Sequence, residues 1–331
     1  MHQFLISKWV LGGLAGLLAC AAGAQTPPDP APVSEPAALE VIEVTGERPG
    51  PGLWKVAKGD HTVYILGTFN PLPRRMIWRS REVESVLDEA SQVIPYRPDL
   101  DANIGVIKAF KMYRQWRRLR RNPDDQSLEQ ILAPDVFARF ETLRRKYAPN
   151  EKSMLELRPL LAANELSQAA VKSVGLKTDD DVADKVLKLA KQRKVPIVKL
   201  RQRVDDPQGL LADLGNINAA TERNCLAATL ARLDADVNTL RDRANAWAVG
   251  DVEKLRSKSA DEQRVSCMAA LTSAPRINEL TAEFDRQWLA AVVTAAETQK
   301  VALAMAPIGR LLQKDGVLAT LAARGYQISA P

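Results

Sequence analysis

The chain has 331 residues, 46 basic and 40 acidic, with a formal net charge of +6. That length allows one large domain, or one domain with a sizeable insert, and the charge excess is too mild to name a partner by itself. Two histidines and three cysteines, far apart in sequence, exclude a convincing zinc site.

The first elements are targeting signals. Lys8 precedes an apolar run from Trp9 to Ala19, and Ala22-Gly-Ala24 gives an A-x-A cleavage pattern before Gln25. The run is shorter than the ~20 apolar residues a spanning helix requires. Residues 1–24 therefore read as a cleaved signal peptide, with an uncleaved anchor as the rival. Leu17-Leu-Ala-Cys20 resembles a lipoprotein cleavage box, so a lipid on Cys20 is the second alternative. Residues 25–52 are rich in Pro and Ala and read as a disordered tether. The expected location is periplasmic or secreted, which makes nucleic acid an unexpected partner.

Strand signals open the folded part. Leu53–Val56 and Thr62–Leu66 flank Lys58-Gly-Asp-His61, a hairpin turn. A helix is expected from Trp78 to Ala90, then a short apolar run from Gln92 to Tyr96. Helices dominate from about 101 to 193, with breaks at Asn122-Pro123 and Pro149-Asn150. Val195–Leu200 reads as a strand. Helices return from about 206 to 298, broken near Gly250 and Pro275. Val301–Ala306, a helix over 309–323 and a strand over Gly325–Ile328 close the chain. The expected class is α/β (α+β), with a mixed central sheet built from the N- and C-terminal segments and a large helical insert at about 101–193.

Among the cysteines, export leaves Cys225 and Cys267, and two thiols in an oxidising compartment pair most simply as a disulfide. Closing that loop would stabilise the fold by roughly 3–4 kcal/mol in the chain-entropy model. Two buried free thiols and a redox pair are the rivals, and the missing C-x-x-C argues against redox work.

Lys111–Arg121 is dense in Lys and Arg, with Tyr113 and Trp116 interleaved. As a helix it places Ala109, Met112, Trp116 and Leu119 on one side. The segment near Arg114–Arg121 is thus a candidate for lying on an anionic membrane surface. The plainer alternative is a solvated helix that buries its Met/Trp/Leu stripe. Trp247 and Trp288 read as core or pocket-wall residues.

Several motifs then fall in a familiar order. Trp54-Lys-Val…Val63-Tyr-Ile-Leu-Gly-Thr-Phe-Asn70 resembles the opening of TraB/GumN proteins, and Val301–Tyr326 resembles their ending. Ala246-Trp-Ala-Val-Gly-Asp251 matches an internal motif, and Asp285-Arg286 falls where an acid–arginine pair is expected. The likeness covers about 53–328 and implies a relation to TIKI-type metalloproteases and erythromycin-esterase-like hydrolases. It also implies histidines and acids at strand ends that hold a water-activating divalent metal. This chain departs at each such position: Asn70 and Arg310 replace histidines, and Tyr96 and Arg201 fall where acids belong. Guanidinium has no lone pair to give a metal. His61, at the far end of the hairpin from Asn70, is expected to be an exposed turn residue.

The resemblance thus implies a hydrolase scaffold with no catalytic residue, metal or cofactor in place. Asn70, Tyr96, Arg201, Arg286 and Arg310 are expected to converge on a basic cleft suited to an anionic small molecule or glycan. In the rival reading these arginines pair with internal acids and the cleft is closed. A hydrolase acting through other residues, such as two carboxylates, is the remaining alternative, and nothing in the sequence selects them.

Overall fold

The computed structural model describes residues 48–49, 51–73, 78–79, 81–102, 105–177, 181–236, 239–255 and 258–331. The expected signal peptide, Cys20 and the tether as far as residue 47 lie outside the described residues. Residues Gly46–Pro331 belong to one compact unit.

Strands β1 (Leu53–Lys58) and β2 (His61–Thr68) form the expected hairpin, in register from Leu53↔Leu66 to Lys58↔His61. Its two-residue turn is Gly59-Asp60, and Gly59 takes a positive φ of 58° that an L side chain resists. After helix α1 (Arg81–Glu89) come the short β3 (Val93–Ile94) and β4 (Pro98–Asp101). Helices α2 (Val106–Leu119), α3 (Pro134–Tyr147), α4 (Pro159–Ser173) and α5 (Asp181–Gln192) follow. Strand β5 (Leu200–Arg203) precedes α6 (Pro207–Gly215), α7 (Ala219–Asp236), α8 (Leu240–Ala248), α9 (Lys258–Thr272) and α10 (Pro275–Thr298). The chain closes with β6 (Val301–Pro307), α11 (Val317–Ala323) and β7 (Gln327–Ser329).

The central sheet has five strands in the order β7-β1-β2-β6-β3, so its N- and C-terminal halves interleave as expected. β6 runs parallel to β2 over seven residue pairs, from Val301↔Thr62 to Pro307↔Thr68. Ala302–Ala306 are buried without alternation, the pattern of a parallel strand covered on both faces. α10 lays Phe284, Trp288, Val292 and Ala295 into this core, and Val83, Leu87, Val182 and Val186 from α1 and α5 join it. A second core lies mainly among helices: Leu128, Phe140, Leu166, Leu226, Leu230 and Leu240 centre it. It draws on chain both before and after the expected insert boundary at 193, while α5, inside that boundary, packs on the sheet.

Three boundaries differ from expectation. Trp78-Arg79 pairs with Arg48-Pro49, so the helix begins only at Arg81. Val195–Val198 is not a regular strand. It runs beside the sheet edge, where Val93 donates to the Pro196 carbonyl and Val198 to the Val93 carbonyl, and Pro196 has no N–H to continue a ladder. The regular strand is β5, parallel to β4 in a separate two-stranded ribbon. The helix expected over 309–323 splits into Ile308–Leu311 and α11. At Gly316 between them a Cβ would sit 2.6 Å from the Arg310 carbonyl oxygen, too close for any other residue without a shift.

Candidate functional site

The site forms where β2 and β6 end side by side, because their parallel register brings Thr68 opposite Pro307. Asn70 lies just past β2 and is exposed, and Arg310 lies in the turn just past β6. Trp247 braces this end. Its ring is fully buried, its Nε1 donates to the Gly67 carbonyl at 2.8 Å, and it packs edge-on to Trp78 with centroids 5.5 Å apart. Gly67 itself has no room for a side chain, since a Cβ would meet Trp54 at 2.9 Å. The Ala246–Asp251 motif is therefore an architectural support for the strand end.

Three side chains meet there. The Arg310 guanidinium donates to Oδ2 of Asp285 at 2.5 Å, and the Tyr96 hydroxyl donates to Oδ1 of the same carboxylate. Arg310 also lies over the Tyr96 ring, 5.3 Å from its centroid. Burial, then the hydrogen bond to Asp285, push the Tyr96 phenol well above its ordinary range, so it remains a donor at neutral pH. Tyr96 packs edge-on against Phe284 and Trp288, with centroids 4.8 and 5.5 Å away. The Nε1–H of the buried Trp288 has no acceptor among the described residues.

Of the five residues expected to converge, the structure joins Tyr96 and Arg310 through Asp285. Arg286, next in α10, is exposed and paired with Glu283 at 2.6 Å. On β5, Leu200 and Gln202 are buried, and Gln202 donates to the Leu280 carbonyl of α10. Arg201 therefore takes the opposite, exposed face of the ribbon and does not join the cluster, because a strand turns successive side chains to opposite sides. His61 is more than an exposed turn residue: its Nδ1 meets the Gln299 carbonyl at 3.0 Å and ties the hairpin to the end of α10.

Asp285 is the residue that sequence reasoning passed over in favour of its neighbour. It lies beside the apolar stripe of α10, between Phe284 and Trp288, and an acid there needs a partner. Arg286 already had Glu283 one turn away, a local pairing visible in the spacing.

As a donor set for a divalent cation the cluster does not fit. Its one carboxylate has both oxygens engaged, and the other groups are a guanidinium and a protonated phenol. Among the described residues no group of three or more His, Cys, Asp or Glu is placed to hold a metal ion.

The helical layer has its own features. Cys225 of α7 and Cys267 of α9 are disulfide-bonded, with Cα atoms 4.5 Å apart. They line an apolar cavity of about 340 Å³ together with Trp116, Leu160, Ile217 and Leu271. Beside it, Arg158 is paired with Glu222 and donates to the carbonyls of Leu214, Gly215 and Ile217. Burial pushes the Glu222 carboxyl up despite that arginine.

No curated protein and no solved structure matches this chain. The family model of the TraB/PrgY/gumN family matches residues 52–330, which takes in both strand ends, the Trp247 brace and the Asp285 cluster. The chain belongs to the TraB/PrgY/gumN family.

Proposed function

We propose that this chain is a catalytically silent, exported member of its family that works by binding, with Arg310 as the anion-accepting group. The observation that carries the reading is Arg310 at the strand end, about one-third exposed beside Tyr96, while its pairing with Asp285 is what the closed-cleft reading expects. An arginine at the end of a strand, stacked beside a protonated phenol, suits a carboxylate, phosphate or sulfate. Asp285 supplies that carboxylate internally, and an external anion must compete with it. The Cys225–Cys267 bond and the leader-like N-terminus support export to an oxidising compartment.

The test is anion-dependent stability in wild type, Asp285→Asn and Arg310→His. Binding to the folded state adds RT ln(1 + [L]/Kd), about 2.7 kcal/mol at a hundred times Kd. Phosphate and acidic sugars should raise the melting temperature most in Asp285→Asn, less in wild type and least in Arg310→His, each against matched chloride. Equal responses in all three would leave Arg310 a purely structural partner and sink the reading. A stoichiometric metal ion retained by supplemented protein would sink the silent-site half of it.

A further inference from the structure

Helix α2 exposes what a helix ordinarily buries. None of its residues is buried, and Val106, Ile107, Phe110 and Tyr113 are 88, 76, 60 and 59 % exposed. Its inward side is the weaker one. Met112 and Leu119 are half-buried, Trp116 and Leu119 border the cavity, and Leu119 lies against Gly215 at the end of α6. At 100° per residue the outward side divides along the axis. Val106, Ile107 and Phe110 occupy its first two turns, and Arg114, Arg117, Arg118 and Arg121 continue the same face. Those four arginines line a shallow depression of about 540 Å³, closed at its far end by Asp124 and Asp125. Arg121 is spent on Asp125 and Glu156. Lys108, Lys111, Arg114, Arg117 and Arg118 meet no acid among the described residues, and the sequence has no acidic residue between Asp101 and Asp124.

We propose that this face of α2 docks on an anionic phospholipid bilayer, its first two turns entering the headgroup boundary and Arg114, Arg117 and Arg118 taking lipid phosphates. Charge complementarity selects that occupant. A helix face that is apolar at one end and cationic at the other, with acids only beyond its C-terminal end at Asp124 and Asp125, matches a surface that is apolar below and anionic above. A core-like protein interface would leave three arginines to be desolvated together. The helix is interfacial in kind: no helix among the described residues is long and apolar enough to cross a membrane.

The experiment uses the Gly46–Pro331 unit, which holds both cores and lacks the leader, so the leader's own lipid affinity does not enter. Its partition onto vesicles of phosphatidylcholine with one quarter phosphatidylglycerol is compared with partition onto phosphatidylcholine alone. We expect binding to the anionic vesicles that weakens as salt is raised. The triple variant Arg114→Gln/Arg117→Gln/Arg118→Gln should lower that partition by about a hundredfold. The variant Ile107→Ser/Phe110→Ser should weaken it as well. Because these side chains are exposed, both variants should melt like wild type, which separates lost docking from lost folding. Absence of lipid-dependent partition, or equal partition by all three proteins, overturns the proposal. So does a change in oligomeric state caused by Phe110→Ser without lipid binding, which would make the face a contact between copies.

Discussion

At the end of the sheet, Arg310 meets a carboxylate at 2.5 Å, whereas on α2 Arg114, Arg117 and Arg118 meet none among the described residues. The two regions also differ in how they are held. The sheet end rests on a parallel ladder and on Trp247 beneath it, while the helical layer beside α2 relies on a disulfide and on buried ion pairs. Positive charge kept close to the core is neutralised from within, because an unpaired guanidinium there would be costly. Positive charge on α2 is left for something outside the molecule. A family resemblance draws attention to the first region, and the physics of exposure draws it to the second.

The comparison can be broken by perturbing each region alone. Replacing Trp247 with Ala should have the largest effect, about 4–5 kcal/mol in denaturant unfolding, since it removes a fully buried indole and its hydrogen bond to Gly67. Preservation of stability in that variant would mean the strand end has another support. Removing the disulfide by Cys225→Ser/Cys267→Ser should cost about 2–4 kcal/mol. Hydrogen exchange should then rise first in α7 and α9 and leave β2 and β6 protected, and uniform loosening would contradict two separately held regions.

Acid sharpens the contrast within the helical layer. The Arg144 hydrogen bond first, aided by Arg145, holds the Glu141 carboxyl down at about 2. Its folded value lies below the unfolded one of about 4.3, so its contribution is present above that value and is lost as pH falls toward 2. Glu222 is raised instead, so the folded state takes up its proton more readily and its contribution falls as pH rises past the ordinary carboxylate range. Glu141→Gln should therefore flatten the acid limb of the stability profile below about pH 4.3, and Glu222→Gln the slope above it. Parallel shifts of both profiles without a change of slope would count against these assignments. The smallest effect belongs to Asp285→Asn. The Arg310–Asp285 pair is about one-third exposed, so its loss should cost about 1 kcal/mol or less in chemical denaturation. A cost of several kcal/mol would show that the pair is effectively buried.

Much of the framework was legible. The Gly59-Asp60 turn, the apolar run of β6 and the Pro and Gly breaks between helices each follow from local chemistry. The site was legible only in part. Tyr96 and Arg310 could be named from motif positions, but their meeting depends on Asp285 arriving from α10, far away in sequence. Arg201 was expected at the site because the family resemblance places it just past a strand ending at Leu200. The regular strand begins at Leu200, and that register sends Gln202 inward and Arg201 out. The exposure of Phe110 and Tyr113 was hidden for a similar reason. An amphipathic pattern tells which residues share a face, not which face the fold covers.

The interleaved sheet also sets a schedule. β1 and β2 emerge early in synthesis, but β2's parallel partner β6 and β1's outer neighbour β7 lie at the opposite end of the chain. At ribosomal rates of about 5–20 residues per second, β6 follows β2 by roughly ten to fifty seconds. Throughout that interval Val63, Ile65 and Leu66 have no sheet to enter, so the central sheet is completed only once β6 and β7 have been made. Ribosome-bound chains halted before Val301 should be protease-sensitive in the first hairpin, and full-length released chains should not. Until Val301–Pro307 has been made the first hairpin has no parallel partner, and whatever handles the nascent chain meets it open.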